Sequence, residues 1–245
     1  MGTENKGGFM ISHRSETRGY ANHGWLRSHH TFSFAGYYNP ERMNFGALRV
    51  LNDDSVEGGN GFGTHPHQDM EIVSIPLSGT LRHQDSEGNQ GLIQKGEVQI
   101  MSAGTGIRHS EENADKAEPV KFLQIWVMPK KYGITPRYGQ KQFDFKPNSE
   151  TLVVSPDGRD DSLVINQDAF FTVVNMDANK SITYSPKMNG NGLYLFVLDG
   201  ALTVNGTQLE SRDGLGISDL SELEIKFNKK TEVLLMEVPM AGFGN

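Results

Sequence analysis

Val197-Leu198-Asp199-Gly200-Ala201-Leu202-Thr203-Val204-Asn205-Gly206-Thr207-Gln208-Leu209 is the stretch from which the fold is read. A two-residue turn between twisted antiparallel strands needs positive φ at both central positions, which Asn-Gly supplies at little steric cost. Leu202-Thr203-Val204 and Thr207-Gln208-Leu209 are therefore expected to pair. Upstream, Ile75-Pro76-Leu77-Ser78-Gly79-Thr80-Leu81 resembles Val197–Leu202. Each copy runs through a polar turn into a glycine-containing stretch, Lys95-Gly96-Glu97 in one and Arg212-Asp213-Gly214 in the other. Each then closes on a strongly apolar segment, Phe122–Met128 or Val233–Val238.

Helical periodicity is weak throughout. Short runs rich in Val, Ile, Leu, Phe and Thr recur instead: Ala47–Leu51, Glu71–Leu77, Val98–Met101, Lys121–Val127, Leu152–Val154, Phe170–Val174, Leu193–Leu198, Ala201–Val204 and Glu232–Val238. Gly, Pro, Asn and Asp punctuate them, which predicts an all-β fold of jelly-roll barrels with few short helices. Tyr132–Asn148, with Gly, Pro and alternating charge, reads as the junction. The expected organisation is a first domain over 10–135, a linker over 136–149 and a second domain over 150–242. Met1–Phe9 reads as an added leader, with Met10-Ile11 as the natural start.

The 245 residues are 36% hydrophobic and 22% charged, the composition of a soluble globular protein. No apolar run approaches the roughly 18–20 residues of a membrane helix, and the start lacks the order of a signal peptide. Zero cysteines exclude disulfides, thiolate ligands and cysteine nucleophiles together, and a cytoplasmic protein is the simplest reading. Net charge is −7 and the basic residues are scattered, so no stripe suited to DNA or RNA is expected.

All eight histidines precede residue 110. Three belong to His65-Pro66-His67 and His109-Ser110-Glu111. Residues two apart on a strand face the same way, so each pair projects together. On adjacent strands the two pairs would offer three imidazoles and a carboxylate to one metal ion. Gly59-Asn60-Gly61-Phe62-Gly63 and Gly104-Thr105-Gly106 would let the backbone turn at the barrel mouth. Glu71 shares parity with His65 and His67 if the strand runs unbroken, and parity alone does not choose between Glu71 and Glu111.

Gly63-Thr64-His65-Pro66-His67-Gln68-Asp69-Met70-Glu71 and Ile100-Met101-Ser102-Ala103-Gly104-Thr105-Gly106-Ile107-Arg108-His109-Ser110-Glu111 resemble the pirin family of bicupins, more closely its bacterial quercetin 2,3-dioxygenase-like members. Tyr20–Leu26, His30–Phe34, Leu48–Asp54 and Gly133–Tyr138 match as well, and the likeness spans about 10 to 240. The resemblance implies two packed jelly-roll barrels. It implies metal ligation by His65, His67, His109 and Glu111, although cupins generally take the carboxylate from the place of Glu71. The second half, without histidine, is expected to be a metal-free cupin that supports, caps or dimerises; monomer and homodimer both fit.

Three imidazoles and a carboxylate suit Fe(II), the first expectation, and also Ni, Cu, Co, Mn or Zn. The site charge of about +1 would attract a deprotonated flavonol. The resemblance implies that dioxygen cleaves such a flavonol, quercetin or a similar planar phenol, with loss of carbon monoxide, and that Glu111 handles the 3-hydroxyl proton. Two other readings compete: a metal-bearing, redox-sensitive regulator that binds a protein partner, and a zinc hydrolase or isomerase working through bound water.

Phe32, Phe34, Phe45, Phe62 and Trp126 are either walls of a slot for a planar ligand or ordinary core. His23, His29 and His30 belong at the site mouth, between the halves or in routine hydrogen bonds. His83 is expected to be solvated in a polar turn. Arg49 and Arg108 would orient an acidic group or form structural ion pairs.

Overall fold

Each apolar run becomes a strand, and most bury both faces. The computed structural model describes residues 8–242. The first half carries β1 (Met10–His13), β2 (Gly19–Asn22), β3 (Leu26–His30), β4 (Leu48–Val56), β5 (Gly61–His67), β6 (Glu71–Ser78), β7 (Thr80–Asp85), β8 (Gln90–Gln94), β9 (Glu97–Ser102), β10 (Ile107–Asn113), β11 (Val120–Val127) and β12 (Arg137–Gln142). The second carries β13 (Ser149–Ser155), β14 (Leu163–Val164), β15 (Phe170–Met176), β16 (Lys180–Tyr184), β17 (Asn191–Asp199), β18 (Ala201–Val204), β19 (Thr207–Glu210), β20 (Gly214–Ile217), β21 (Leu223–Phe227) and β22 (Thr231–Pro239). Two 3-10 turns, Ser15–Thr17 and Arg159–Asp161, are the helical elements among the described residues. At the predicted hairpin, Asn205 and Gly206 take φ of 46° and 78°.

Both halves use one plan. A seven-stranded sheet, β12-β9-β6-β11-β4-β3-β2 or β1-β20-β17-β22-β15-β13-β14, faces a four-stranded sheet, β5-β10-β7-β8 or β16-β21-β18-β19. The two large sheets pack back to back over a shared core that includes Leu51, Val73, Ile125, Phe171, Phe196 and Met236. Along β11, Leu123 and Ile125 enter that shared core, while Phe122 and Trp126 pack into the first barrel. Sheets covered on both faces make their central strands read as continuous apolar runs.

The strands at the junction differ from the sequence reading. Residues 137–142, expected in a linker, form β12 and pair with β9; residues 10–13, expected in the first domain, form β1 and pair with β20 of the second half. Each large sheet is thus completed by the strand that precedes the other barrel. The expected leader, residues 1–9, lies mostly outside the described residues; at its end, the Phe9 carbonyl accepts a bond from the Ser218 N–H.

The back-to-back packing is tight around Tyr194, whose hydroxyl lies 2.8 Å from His13 Nδ1 and whose ring meets Phe32 and Phe45. At Gly216 a Cβ would stand 2.6 Å from the Phe45 ring, so only glycine lets β20 and Phe45 approach this closely. Polar links reinforce the contact. Asp53 accepts from Arg18 and Arg212, and Glu71 accepts from the Ser102 hydroxyl and the Asn166 N–H.

Candidate metal centre and ligand cavity

β5 and β10 are antiparallel neighbours with His109 directly opposite His65. Strand alternation brings His67 to the same face, and the three rings converge with centroids 4.4, 4.8 and 4.9 Å apart. His65 and His67 are half-buried and His109 is buried. The ligand atoms of the three lie within 4.8 Å of one another.

A bulge interrupts the β10–β5 register between His109 and Glu111, so that Glu111 pairs with Phe62. Bulges re-aim side chains, and here Glu111 points inward, 1% exposed. Its Oε2 accepts from Gln124 Nε2 at 2.6 Å, and its Oε1 lies 3.1 Å from Ser74 Oγ, which is 2.7 Å from Gln124 Oε1. Serine has one proton and here faces two oxygens. All three contacts are satisfied when Ser74 donates to Gln124 and Glu111 carries a proton that it donates to Ser74. Burial drives the same outcome, pushing the Glu111 carboxyl up to about 7 against the pull of Ser74 and Gln124.

His83 is fully buried on β7, which corrects the expectation of a solvated turn residue. Its Nε2 is 3.1 Å from Asp85 Oδ2, its Nδ1 is 3.5 Å from His109 Nδ1, and its ring stacks on Tyr138 of β12. A carboxylate beside Nε2 keeps the proton there and leaves Nδ1 bare, an acceptor shared between His109 Nδ1–H and Gln99 Nε2. His109 Nε2 is then the bare nitrogen; it is buried and has no hydrogen-bond partner. On the opposite strand, His65 Nδ1 bonds to the Gly63 carbonyl at 2.8 Å, which leaves the His65 Nε2 free as well.

These donors fit a metal ion. Burial, then the neighbouring imidazoles, lowers His109 to about 2 and His67 to about 4, so both rings are neutral and able to ligate at pH 7. His83, His109 and Glu111 form a second group, sharing His109 with the first. Glu71 is remote from both groups: the chain leaves β5 at His67, turns through Asp69 with φ 48°, and Glu71 begins β6 in the other sheet. The parity that linked Glu71 to His65 breaks at that turn.

A cavity of about 490 Å³ opens beside the centre, within the range of small-molecule sites. His65 and Glu111 line it, with Phe34, Phe62 and Trp126 as apolar walls. Trp126 meets both His67 and Phe34 edge to face, at 4.9 and 5.4 Å. Phe32 and Phe45 instead belong to the core between the halves. His23 stands exposed on the cavity lining and His30 buried within it, whereas His29 packs on Tyr20 beside the Arg18–Asp53 pair. Arg49 donates to the carbonyls of Ser33 and Met43, and Arg108 is exposed with its N–H taken by Ser86 Oγ; neither contacts Glu111.

A polar row spans the inner face of the large sheet. Register sets His30 beside Asn52, Asn52 beside Gln124, Gln124 beside Ser74, and Ser74 beside Gln99. All five are buried. Its middle holds Glu111, and its end reaches His83 through Gln99 Nε2 at 3.3 Å. The sequence reading missed this row.

Two jelly-roll barrels, of which one gathers histidines and a carboxylate beside an apolar cavity, define a bicupin with a candidate metal centre. The comparisons specify it further. The pirin family model matches residues 12–127, and a model of the quercetinase C-terminal cupin domain matches 152–238. A quercetin 2,3-dioxygenase of Escherichia coli K12 is 47% identical over 226 residues, covering 92% of this chain and 97% of that protein. A putative quercetin 2,3-dioxygenase of Pseudomonas aeruginosa is 44% identical, over 94% of this chain and 100% of that one. The crystal structure of the bacterial pirin YhhW from Escherichia coli in complex with nickel(II) superposes with a TM-score of 0.91 at 45% identity, covering 95% of this chain and all of that one. The chain belongs to the pirin family.

Proposed function

We propose that this protein is a metal-dependent oxidoreductase of the quercetin 2,3-dioxygenase type. His65, His67 and His109 hold the ion, and Glu111 stands beside it as ligand or proton carrier. The convergence of three imidazoles beside an apolar cavity, with His65 on its wall, supports this reading most directly. A divalent ion there supplies the Lewis-acid and redox chemistry that joins a flavonol to dioxygen; Fe(II) is the ion we expect first.

The protein's own groups do the rest. Glu111, its carboxyl raised to about 7, is present in both forms near neutral pH, and its ionised form is matched to accept the proton of a flavonol 3-hydroxyl. Gln124 and Ser74 fix its orientation. Asp85 and His83 hold the His109 tautomer. Phe34, Phe62 and Trp126 exclude water from a planar ligand.

The test is elemental analysis of purified protein with oxygen uptake on quercetin after reconstitution with Fe, Ni, Co, Mn, Cu and Zn separately. Stoichiometric redox metal with uptake that disappears in His65→Ala is the expected result. Bound metal without uptake under any reconstitution moves the assignment to the metal-bearing regulator or to a different substrate.

A further inference from the structure

The cavity has a second polar face that the metal chemistry does not use. Strand alternation puts Ser28 and His30 of β3, and Asn52 and Asp54 of β4, on the inner side, and register sets Ser28 opposite Asp54 and His30 opposite Asn52. The four form a compact patch on the cavity wall, with exposures of 3, 3, 2 and 5% in the order Ser28, His30, Asn52 and Asp54.

Three of the four carry a buried polar atom with no hydrogen-bond partner: His30 Nδ1, Asn52 Oδ1 and Asp54 Oδ1. Ser28 meets Asp54 through its hydroxyl and still leaves that oxygen free. Unpaired buried acceptors are costly, and native proteins rarely keep several side by side without something to fill them. Deeper in the same barrel, Ser74, Gln124 and Glu111 satisfy one another. Trp126 Nε1, on the same cavity lining, is unpaired as well.

Two acceptor oxygens beside one ring nitrogen call for ligand groups that donate. The remaining walls, Leu26, Phe34, Phe62 and Trp126, call for flat apolar surface between those donors. We propose that His30, Asn52 and Asp54 form a hydroxyl-recognition subsite, which selects aromatic ligands bearing hydroxyl groups remote from the oxygen that faces the metal centre. This rests on the flavonol reading above and adds to it: the metal centre accepts the 3-hydroxyl end, and the β3–β4 wall distinguishes among flavonols by their other hydroxyls. Buried hydrogen-bonding groups reject analogues that lack the matching group far more strongly than apolar pockets reject a missing methylene.

The experiment uses metal-loaded protein under argon, so that binding is read without turnover. Affinities for 3-hydroxyflavone, galangin and quercetin are measured by fluorescence quenching; all three share the 3-hydroxyl and differ in remote hydroxyls. The expected result is that wild type binds galangin or quercetin about tenfold or more tightly than 3-hydroxyflavone, the scale of one matched buried hydrogen bond. Asn52→Ala and Asp54→Ala should remove most of that preference while affinity for 3-hydroxyflavone stays within about threefold, the scatter expected when no matched polar contact is lost. Asp54→Asn retains an acceptor oxygen and should retain the preference, which guards against misfolding as the cause. Equal affinity of wild type for all three ligands overturns the subsite, as do variants that weaken all three alike. Oxygen uptake is recorded separately. Hydroxyl-dependent binding without uptake supports the subsite and overturns the dioxygenase reading; uptake with flat binding does the reverse.

Discussion

In the first barrel the row across the large sheet is Gln99, Ser74, Gln124, Asn52; in the second, the same pairing gives Leu215, Leu195, Leu235, Thr172. Facing it on the small sheet, His65, His109, Glu111 and His83 of the first barrel correspond by register to Tyr184, Leu223, Ile225 and Val204 of the second. Those four join Leu195, Leu215 and Leu235 in one hydrophobic cluster that fills the second interior. One architecture thus carries two interiors. Strand order and register set the positions, and side-chain chemistry decides whether the middle of a barrel is a packed core or a reactive cavity.

This contrast can be broken at matched positions. His109→Ala is expected to drop bound metal from near one per chain to below about a tenth, because an ion with two remaining imidazoles loses a strong ligand. Its counterpart Leu223→Ala should leave metal content unchanged and cost about 2–5 kcal/mol in denaturant unfolding, the usual range for a buried Leu→Ala change. Metal loss in Leu223→Ala would show that the second barrel is more than a support.

Glu111→Gln should keep metal and lower turnover by about a hundredfold, as removal of a general base does, whereas Glu71→Gln should leave turnover near wild type. A fully active Glu111→Gln beside a dead Glu71→Gln would reassign the carboxylate. His83→Ala is expected to weaken metal affinity about tenfold to a hundredfold in a chelator competition, the typical effect of losing a group that orients a ligand. An unchanged affinity would reduce His83 to filler like Val204.

The smallest effect concerns Asp54, whose register counterpart is Val174. Burial raises its carboxyl from the ordinary 3.8 to about 7, so the folded state holds the proton more tightly than the unfolded chain does. The neutral form stabilises below about pH 4, and that contribution is lost as pH rises toward 7. Asp54→Asn should therefore raise Tm by a few degrees at pH 8 and by little at pH 4. A uniform shift at both would show that Asp54 is not a proton-holding group.

Strands that bury both faces were legible because continuous apolar runs such as Leu193–Leu198 have no other stable use in a chain without helical periodicity. The convergence of His65 and His67 was legible from parity alone. His83 was not, although Leu81, His83 and Asp85 alternate with Arg82 and Gln84, a signal that would have placed it inside. The polar row escaped notice because its members come from five strands and meet only through register. Asn52 and Asp54 look like the frayed polar end of a strand until β3 and β11 are set beside them. Glu71 illustrates the reverse limit: its parity with His65 was real in sequence, and the turn at Asp69 cancelled it.

The exchanged edge strands have a consequence for synthesis. β1 leaves the ribosome before the other described strands, and its partner β20 follows about two hundred residues later. Until then β1 has no edge to join, and β9 waits for β12 in the same way. A nascent chain that stalled at residue 135 would present β9 as an open edge, a template for pairing with another chain. The first large sheet therefore gains its last strand with β12, and the second only after synthesis has passed β20, well beyond the end of the first barrel.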